Sequence, residues 1–188
     1  MPGITLLGLG PGDPSQLTRQ AWDVLSRAEE VWLRTGQHPT VRGLPPTVKV
    51  NSFDPLYESG DDFDAVYAAI VEQVLALGRR PQGVIYAVPG DPFVAEATGP
   101  AIARRAAAEG LPLTVVSGLS FLEPVFAALG LDPFPRLALA DALELSQAHM
   151  PAFPPDAPAL VAQIYSQMVA AEVKMTLTAV YPDEHPVR

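Results

Sequence analysis

The stretch Tyr86-Ala-Val-Pro-Gly-Asp-Pro-Phe-Val-Ala95 constrains the fold of this chain more than any other. The apolar run Gly83 to Val88 reads as a strand buried on both faces, and it stops on Pro89-Gly90-Asp91-Pro92. A turn of the same kind, Gly8-Leu-Gly-Pro-Gly-Asp-Pro14, follows the first strand, which begins at Ile4. Two prolines fix φ near about −65°, and Gly90 lets the backbone approach a ligand. Asp91 is suited either to cap the following turn or to hold a ribose or an amine. Strands ending in rigid, side-chain-poor loops expose backbone at one edge of a sheet. That edge is where α/β proteins bind small ligands.

Strands and helices alternate along the remaining chain, which implies an α/β fold with a mainly parallel sheet. A helix is expected from Gln16 to Arg27, capped by Asp13 or Ser15. Strands follow at Glu30 to Arg34 and Thr47 to Asn51, with a Pro/Gly-rich connection from Gly36 to Pro46. Phe53 to Gly60 reads as loop. Asp61, Asp62 and Asp64 open a helix through Leu77, and acidic residues there suit the helix dipole, so they read as caps and not as a metal site. A helix spans Thr98 to Glu109, a strand Leu113 to Val116, and a helix beginning about Ser120 runs to Leu129. Past Pro135 the spacing predicts a strand and short helix over Leu137 to Leu145. A Pro-rich loop, a strand Ala159 to Tyr165 and a helix to Val180 complete the pattern. Val187 reads as the start of another strand. The expected lobes are 1–116 and 117–188, the second incomplete at Arg188. Trp22 and Trp32 read as core.

The 188 residues carry a net charge of −9 and only two lysines, Lys49 and Lys174. That balance argues against a nucleic-acid partner, whose phosphates need a basic stripe. No apolar run reaches the ~18 residues of a membrane span. The absence of cysteine removes disulfides, thiolate metal sites and a Cys nucleophile, and it accords with a cytoplasmic setting. His38, His149 and His185 stand in Pro-rich contexts and read as surface or structural residues.

Gly8-Leu-Gly10-Pro-Gly12 is not a dinucleotide fingerprint. Asp13 replaces its third glycine, and Arg34 and Thr35 stand where the acidic ribose partner belongs. A nucleotide-binding oxidoreductase is therefore disfavoured. The glycines of this first loop suit plain tight turns equally well. A P-loop is excluded because no Gly-Lys-Ser/Thr occurs.

Three ordered motifs resemble the successive signatures of the tetrapyrrole (corrin/porphyrin) methylases: Gly8-Leu-Gly-Pro-Gly-Asp-Pro-x-x-Leu-Thr18, Val88-Pro-Gly-Asp-Pro-Phe-Val94 and Val116-Ser-Gly-Leu-Ser-Phe121. Within that family the chain looks closest to the methylase-like N-terminal domain of MazG-type nucleotide pyrophosphohydrolases. Thr35 to Pro39, Tyr57 to Tyr67, Gln163 to Ser166 and Tyr181 to Pro186 carry that likeness. The resemblance implies a two-lobed α/β fold that binds S-adenosylmethionine and forms a homodimer. Carried over, the cofactor contacts are Pro11, then Gly90, Asp91 and Val94, then Ser120 and Phe121, and finally Ile164 or Tyr165. No metal is implied. No catalytic residue is nominated, because transfer from a sulfonium needs positioning and desolvation more than an acid–base pair.

One departure bears on the acceptor. The porphyrin methylases follow this loop with Gly-Arg, whereas the chain has Val94-Ala-Glu-Ala-Thr98. Glu96 is expected to repel a carboxylate-rich macrocycle, which disfavours a tetrapyrrole. The first functional expectation is thus a methyltransferase domain acting on a small-molecule acceptor of unassigned identity. The second is a non-catalytic binding or dimerisation module that regulates a fused or partner pyrophosphohydrolase.

Overall fold

The computed structural model describes residues 1–59 and 62–187. Asp61, expected in a helix's first turn, lies outside them. The chain divides into two compact units, Met1–Leu129 and Gly130–Arg188. This division falls later than the 116/117 boundary read from the sequence.

The first unit holds five strands: β1 (Ile4–Gly8), β2 (Glu30–Leu33), β3 (Lys49–Ser52), β4 (Val84–Val88) and β5 (Leu113–Val116). They pair in the order β3-β2-β4-β1-β5, every pair parallel. Its helices are α1 (Arg19–Arg27), α2 (Asp54–Ser59), α3 (Phe63–Gly78), α4 (Thr98–Ala108) and α5 (Leu122–Leu129).

Period-two alternation divides each central strand between two cores. Ile4 and Leu6 of β1 and Val84, Tyr86 and Val88 of β4 pack with Ile70, Val74, Ile102 and Ala106 of α3 and α4. Leu7 and Leu9, Val31 and Leu33, and Ala87 face the opposite way, against Ala21 and Leu25 of α1. Full burial is worth roughly 1.5–3 kcal/mol for each large apolar side chain, so both faces anchor the sheet between helices. Parallel pairing then brings the carboxyl ends of all five strands to one edge.

Local chemistry shifts several expected boundaries. The Asp13 carboxylate accepts the Ser15 N–H at 2.8 Å and caps only a 3-10 turn, Pro14–Gln16. Thr18 caps α1 by accepting the Ala21 N–H at 3.2 Å, which starts the helix at Arg19 and not at Gln16. The segment read as loop from Phe53 contains α2, for which Pro55 near the helix start is well suited. Asp62 caps α3 through the Asp64 N–H, as its position suggests. Trp22 lies beside the buried stripe of α1 and is 42% exposed, so it is not a core residue. Trp32 is half-buried and lies tilted against Phe53, their ring centroids 5.3 Å apart.

In the second unit β6 (Ala138–Asp141) and β7 (Ala159–Ala162) pair in parallel. Helices α6 (Ala142–Ser146) and α7 (Gln167–Leu177) supply a small core of Ala142, Leu145, Val169 and Val173. Gln163 has φ 70°, a left-handed conformation that ends β7 before the expected Tyr165. Val187 follows a turn and belongs to no strand, which corrects the reading of a further strand there.

Candidate functional site at the carboxyl edge of the sheet

The loops after β1, β4 and β5 meet backbone to backbone. The Gly10 N–H donates to the Gly90 carbonyl at 3.1 Å, and the Gly90 N–H returns a bond to the Gly10 carbonyl at 2.9 Å. Gly8 touches both other loops so closely that an added Cβ would stand 2.5 Å from the Gly118 nitrogen and the Gly90 oxygen. Gly90 itself has φ 68°, and a Cβ there would meet nothing nearer than 3.9 Å. A Cβ at Gly90 would thus make only ordinary contact with the Ser120 Cα and the Leu119 oxygen, so the left-handed φ and not crowding is what favours glycine there.

Asp91 joins the third loop to the second. Its Oδ1 accepts the Phe93 N–H at 2.9 Å and its Oδ2 accepts the Gly118 N–H at 3.2 Å. The capping role foreseen for Asp91 is therefore present, with a cross-loop bond in addition. Each oxygen keeps a further lone pair. Ser120 is only 3% exposed. Its hydroxyl donates to Glu123 at 2.7 Å and accepts the Leu122 N–H at 3.0 Å, so it starts α5. Burial works against ionisation of Glu123, but the bonds from Ser120 hold its carboxyl below the usual range.

Among the expected contacts, Pro11, Gly90, Asp91, Val94, Ser120 and Phe121 lie on these three joined loops of the first unit. Ile164 and Tyr165 follow β7 in the second unit, 49% and 67% exposed. A cavity of about 320 Å³ in the second unit is lined by residues including Asp141, Leu145 and Phe153, and by none of the expected contacts.

A buried polar network flanks the same edge. Arg34 directly follows β2, in phase with Trp32, so its side chain turns toward α2 and α3. Its Nη1 donates to Glu96 Oε2, its Nε to the Tyr57 hydroxyl oxygen at 3.1 Å, and its Nη2 to the Tyr67 hydroxyl oxygen at 3.0 Å. Its guanidinium also lies 4.9 Å from the Tyr67 ring centroid, close enough for a cation–π contact. Glu96 Oε1 accepts the Thr98 N–H at 2.9 Å and the Thr98 hydroxyl at 2.5 Å. The Thr98 proton being so used, the Tyr86 hydroxyl donates to Thr98 at 2.9 Å.

Burial alone would lower the Arg34 pKa, but Glu96 and Tyr57 outweigh it and raise the value. Burial raises Tyr86 and Tyr57 above the ordinary phenol. Glu96 is 7% exposed and faces Arg34. It presents no free charge to a ligand, which overturns the expectation that it repels an anionic macrocycle. The network escaped the sequence reading because its bonded partners stand up to 62 positions apart. The one local signal was a cation on the core-facing phase of β2.

Two further polar atoms at this edge are buried without a partner among the described residues, His38 Nδ1 and Thr40 Oγ1. Both belong to the connection after β2, whose Pro39 ring lies against Gly12. His38 is half-buried, and desolvation lowers its pKa. His149 and His185 are exposed. Among the described residues, no helix is long and apolar enough to cross a membrane.

Comparison with known proteins supplies a family. The chain is 38% identical to the uncharacterized protein YabN of Bacillus subtilis (strain 168) over 191 residues, spanning 98% of this chain. It covers only 37% of that relative's length. Among solved structures it resembles the uroporphyrin-III-C-methyltransferase from Thermus thermophilus, with a TM-score of 0.63 and 26% identity. That match spans 97% of this chain and 74% of the other. Diphthine synthase shares the fold, with a TM-score of 0.57 at 18% identity over 94% of this chain and 70% of the other. The pattern of one family matches residues 3–188, and the chain belongs to it: the tetrapyrrole (corrin/porphyrin) methylases.

Proposed function

We propose that the chain is a methyltransferase domain that takes its methyl group from S-adenosylmethionine. The observation that carries this reading is the union of three loops at one sheet edge. Reciprocal Gly10–Gly90 bonds and the Asp91–Gly118 bond hold them together, and Gly90 lies beside the backbone of Leu119 and Ser120 with no side chain between. Family membership supports the same reading. Bound there, the donor would supply an electrophilic methyl on a sulfonium for in-line displacement.

The chain's own contribution is position and desolvation. Gly90 admits the ligand against its backbone, and Pro11 and Val94 offer apolar walls. The free lone pairs of Asp91 would accept ribose hydroxyls. Ser120 and Phe121 would contribute from the third loop. The reading names no acceptor, and the burial of Glu96 removes one objection to an anionic one.

Calorimetry with S-adenosylhomocysteine tests the proposal. Heat is expected at micromolar to millimolar ligand, and Asp91→Ala should weaken binding about tenfold, as loss of a charge-assisted bond would. An absence of heat at millimolar ligand would overturn the reading. Unchanged affinity in the variant would remove Asp91 from the site. Binding without transfer to any of a panel of tetrapyrroles would instead favour the non-catalytic module.

We further propose kinship with the methylase-like domain of MazG-type pyrophosphohydrolases, a homodimeric assembly and a cytoplasmic setting. The apolar helix α5, none of whose residues is buried, supports a partner surface. Light scattering of the purified protein reads the subunit number directly.

A further inference from the structure

We infer that Arg34 and Glu96 form a clasp that holds the loop after β4 in a strained, ligand-ready shape, making both positioning residues for the methyl donor. The inference rests on the proposed donor site and adds a device that site needs.

The loop is pinned at both ends. At its start, Gly90 bonds to Gly10 and Asp91 bonds to Gly118. At its far end Gly99 presses on the Pro92 carbonyl so closely that an added Cβ would stand 2.0 Å away. Between these points Ala95 has φ 51°, a left-handed conformation for a residue that carries a Cβ. Such a conformation persists only where the surroundings over-determine it.

The neighbour that does so is Glu96. Its carboxylate is drawn inward by Arg34, by the Thr98 N–H and by the Thr98 hydroxyl, and Tyr86 steadies Thr98 from the core. Arg34 is held in turn by Tyr57 from α2 and Tyr67 from α3. Swinging Glu96 outward would relax Ala95 but would strand a guanidinium that is largely enclosed. The ion pair therefore transmits the rigidity of β2, α2 and α3 to Val94 and Asp91, the donor contacts just before the strained residue. Preorganising a loop in this way raises affinity by removing an ordering cost on binding.

The test pairs Glu96→Gln, which keeps the size and the hydrogen bonds from Thr98, with the double variant Glu96→Gln/Ala95→Gly. Amide hydrogen exchange at residues 93–95 and calorimetry with S-adenosylhomocysteine are the readouts, with thermal unfolding to confirm that each variant is folded. In Glu96→Gln, exchange at 93–95 should rise about tenfold or more and affinity should fall about tenfold, while exchange in β1 and β4 stays unchanged. Adding Ala95→Gly removes the strain that the clasp opposes, so exchange should slow and affinity should recover at least threefold. A merely structural role for Glu96 predicts no such rescue. Unchanged exchange at 93–95 in Glu96→Gln, or a loss that Ala95→Gly fails to restore, would overturn the clasp. If the unmodified protein binds no S-adenosylhomocysteine yet the exchange pattern follows the prediction, the clasp stands and the donor reading alone fails.

Discussion

Gly118→Ala should cost far more than an ordinary glycine replacement, because the added methyl has no space. A Cβ at Gly118 would lie 2.3 Å from the Gly90 oxygen and 2.9 Å from the Gly8 carbonyl carbon and Cα. All three are backbone atoms of the partner loops, so no side chain can swing aside. Restoring an ordinary 3.4 Å contact requires the loops to part by about 1.1 Å (3.4 − 2.3). The bond from the Gly118 N–H to Asp91, now 3.2 Å, would stretch beyond hydrogen-bonding distance. Overpacking costs roughly 1–3 kcal/mol, and loss of a bond to a carboxylate about 1.5–3 kcal/mol. These overlap, so a total of about 2–4 kcal/mol is expected. In a chain of this length that lowers Tm by roughly 5–15 °C. Gly110→Ala is the control, since Gly110 has open space around it but φ 66°, leaving conformational strain of only ~1–2 kcal/mol. Thermal unfolding followed by circular dichroism measures both. A Gly118→Ala midpoint no lower than that of Gly110→Ala would refute the packed three-loop seam.

Two further outcomes follow from the polar network and the neighbouring connection. Arg34→Met leaves the buried Glu96 carboxylate without its cation and should destabilise the protein by about 3 kcal/mol; a urea-denaturation midpoint like that of the unmodified protein would contradict the pairing. His38 is held below its ordinary pKa by desolvation, so between its folded value and about 6.5 the unfolded chain binds more protons. Its contribution is fully present above that unfolded value and is lost as pH falls through the window beneath. His38→Gln should therefore flatten the rise in denaturation free energy between pH 5 and 7, and an unaltered slope would show that His38 is not desolvated.

The parts of the fold that could be read from the sequence are those set by local chemistry. Apolar runs cut off by glycine and proline locate β1, β4 and β5, and Gly110 and Gly130, at φ 66° and 60°, end α4 and α5 as expected. The parts that escaped depend on distant partners. Helix α2 looked like loop because Asp54-Pro55 signals a turn as strongly as a helix start, and its Asp54 side chain is spent on Ser52 and Gly36. Trp22 looked like core from its type, yet it stands one position past Ala21 and so off the buried stripe. Glu96 looked like a surface charge because nothing near it in sequence reveals Arg34. The loop motifs located the three joined turns, while the polar network beside them emerged only once β2, α2, α3 and the β4 loop were assembled.

The central claim is that the joined ends of β1, β4 and β5 bind an adenosyl sulfonium. Amide chemical shifts recorded during titration with S-adenosylhomocysteine test it most directly. Saturable shifts should concentrate at 10–12, 90–94 and 118–121, with β3 and the outer turns of α1 unmoved. Shifts confined to other residues, or none at millimolar ligand, would contradict the assignment of this edge as the donor site.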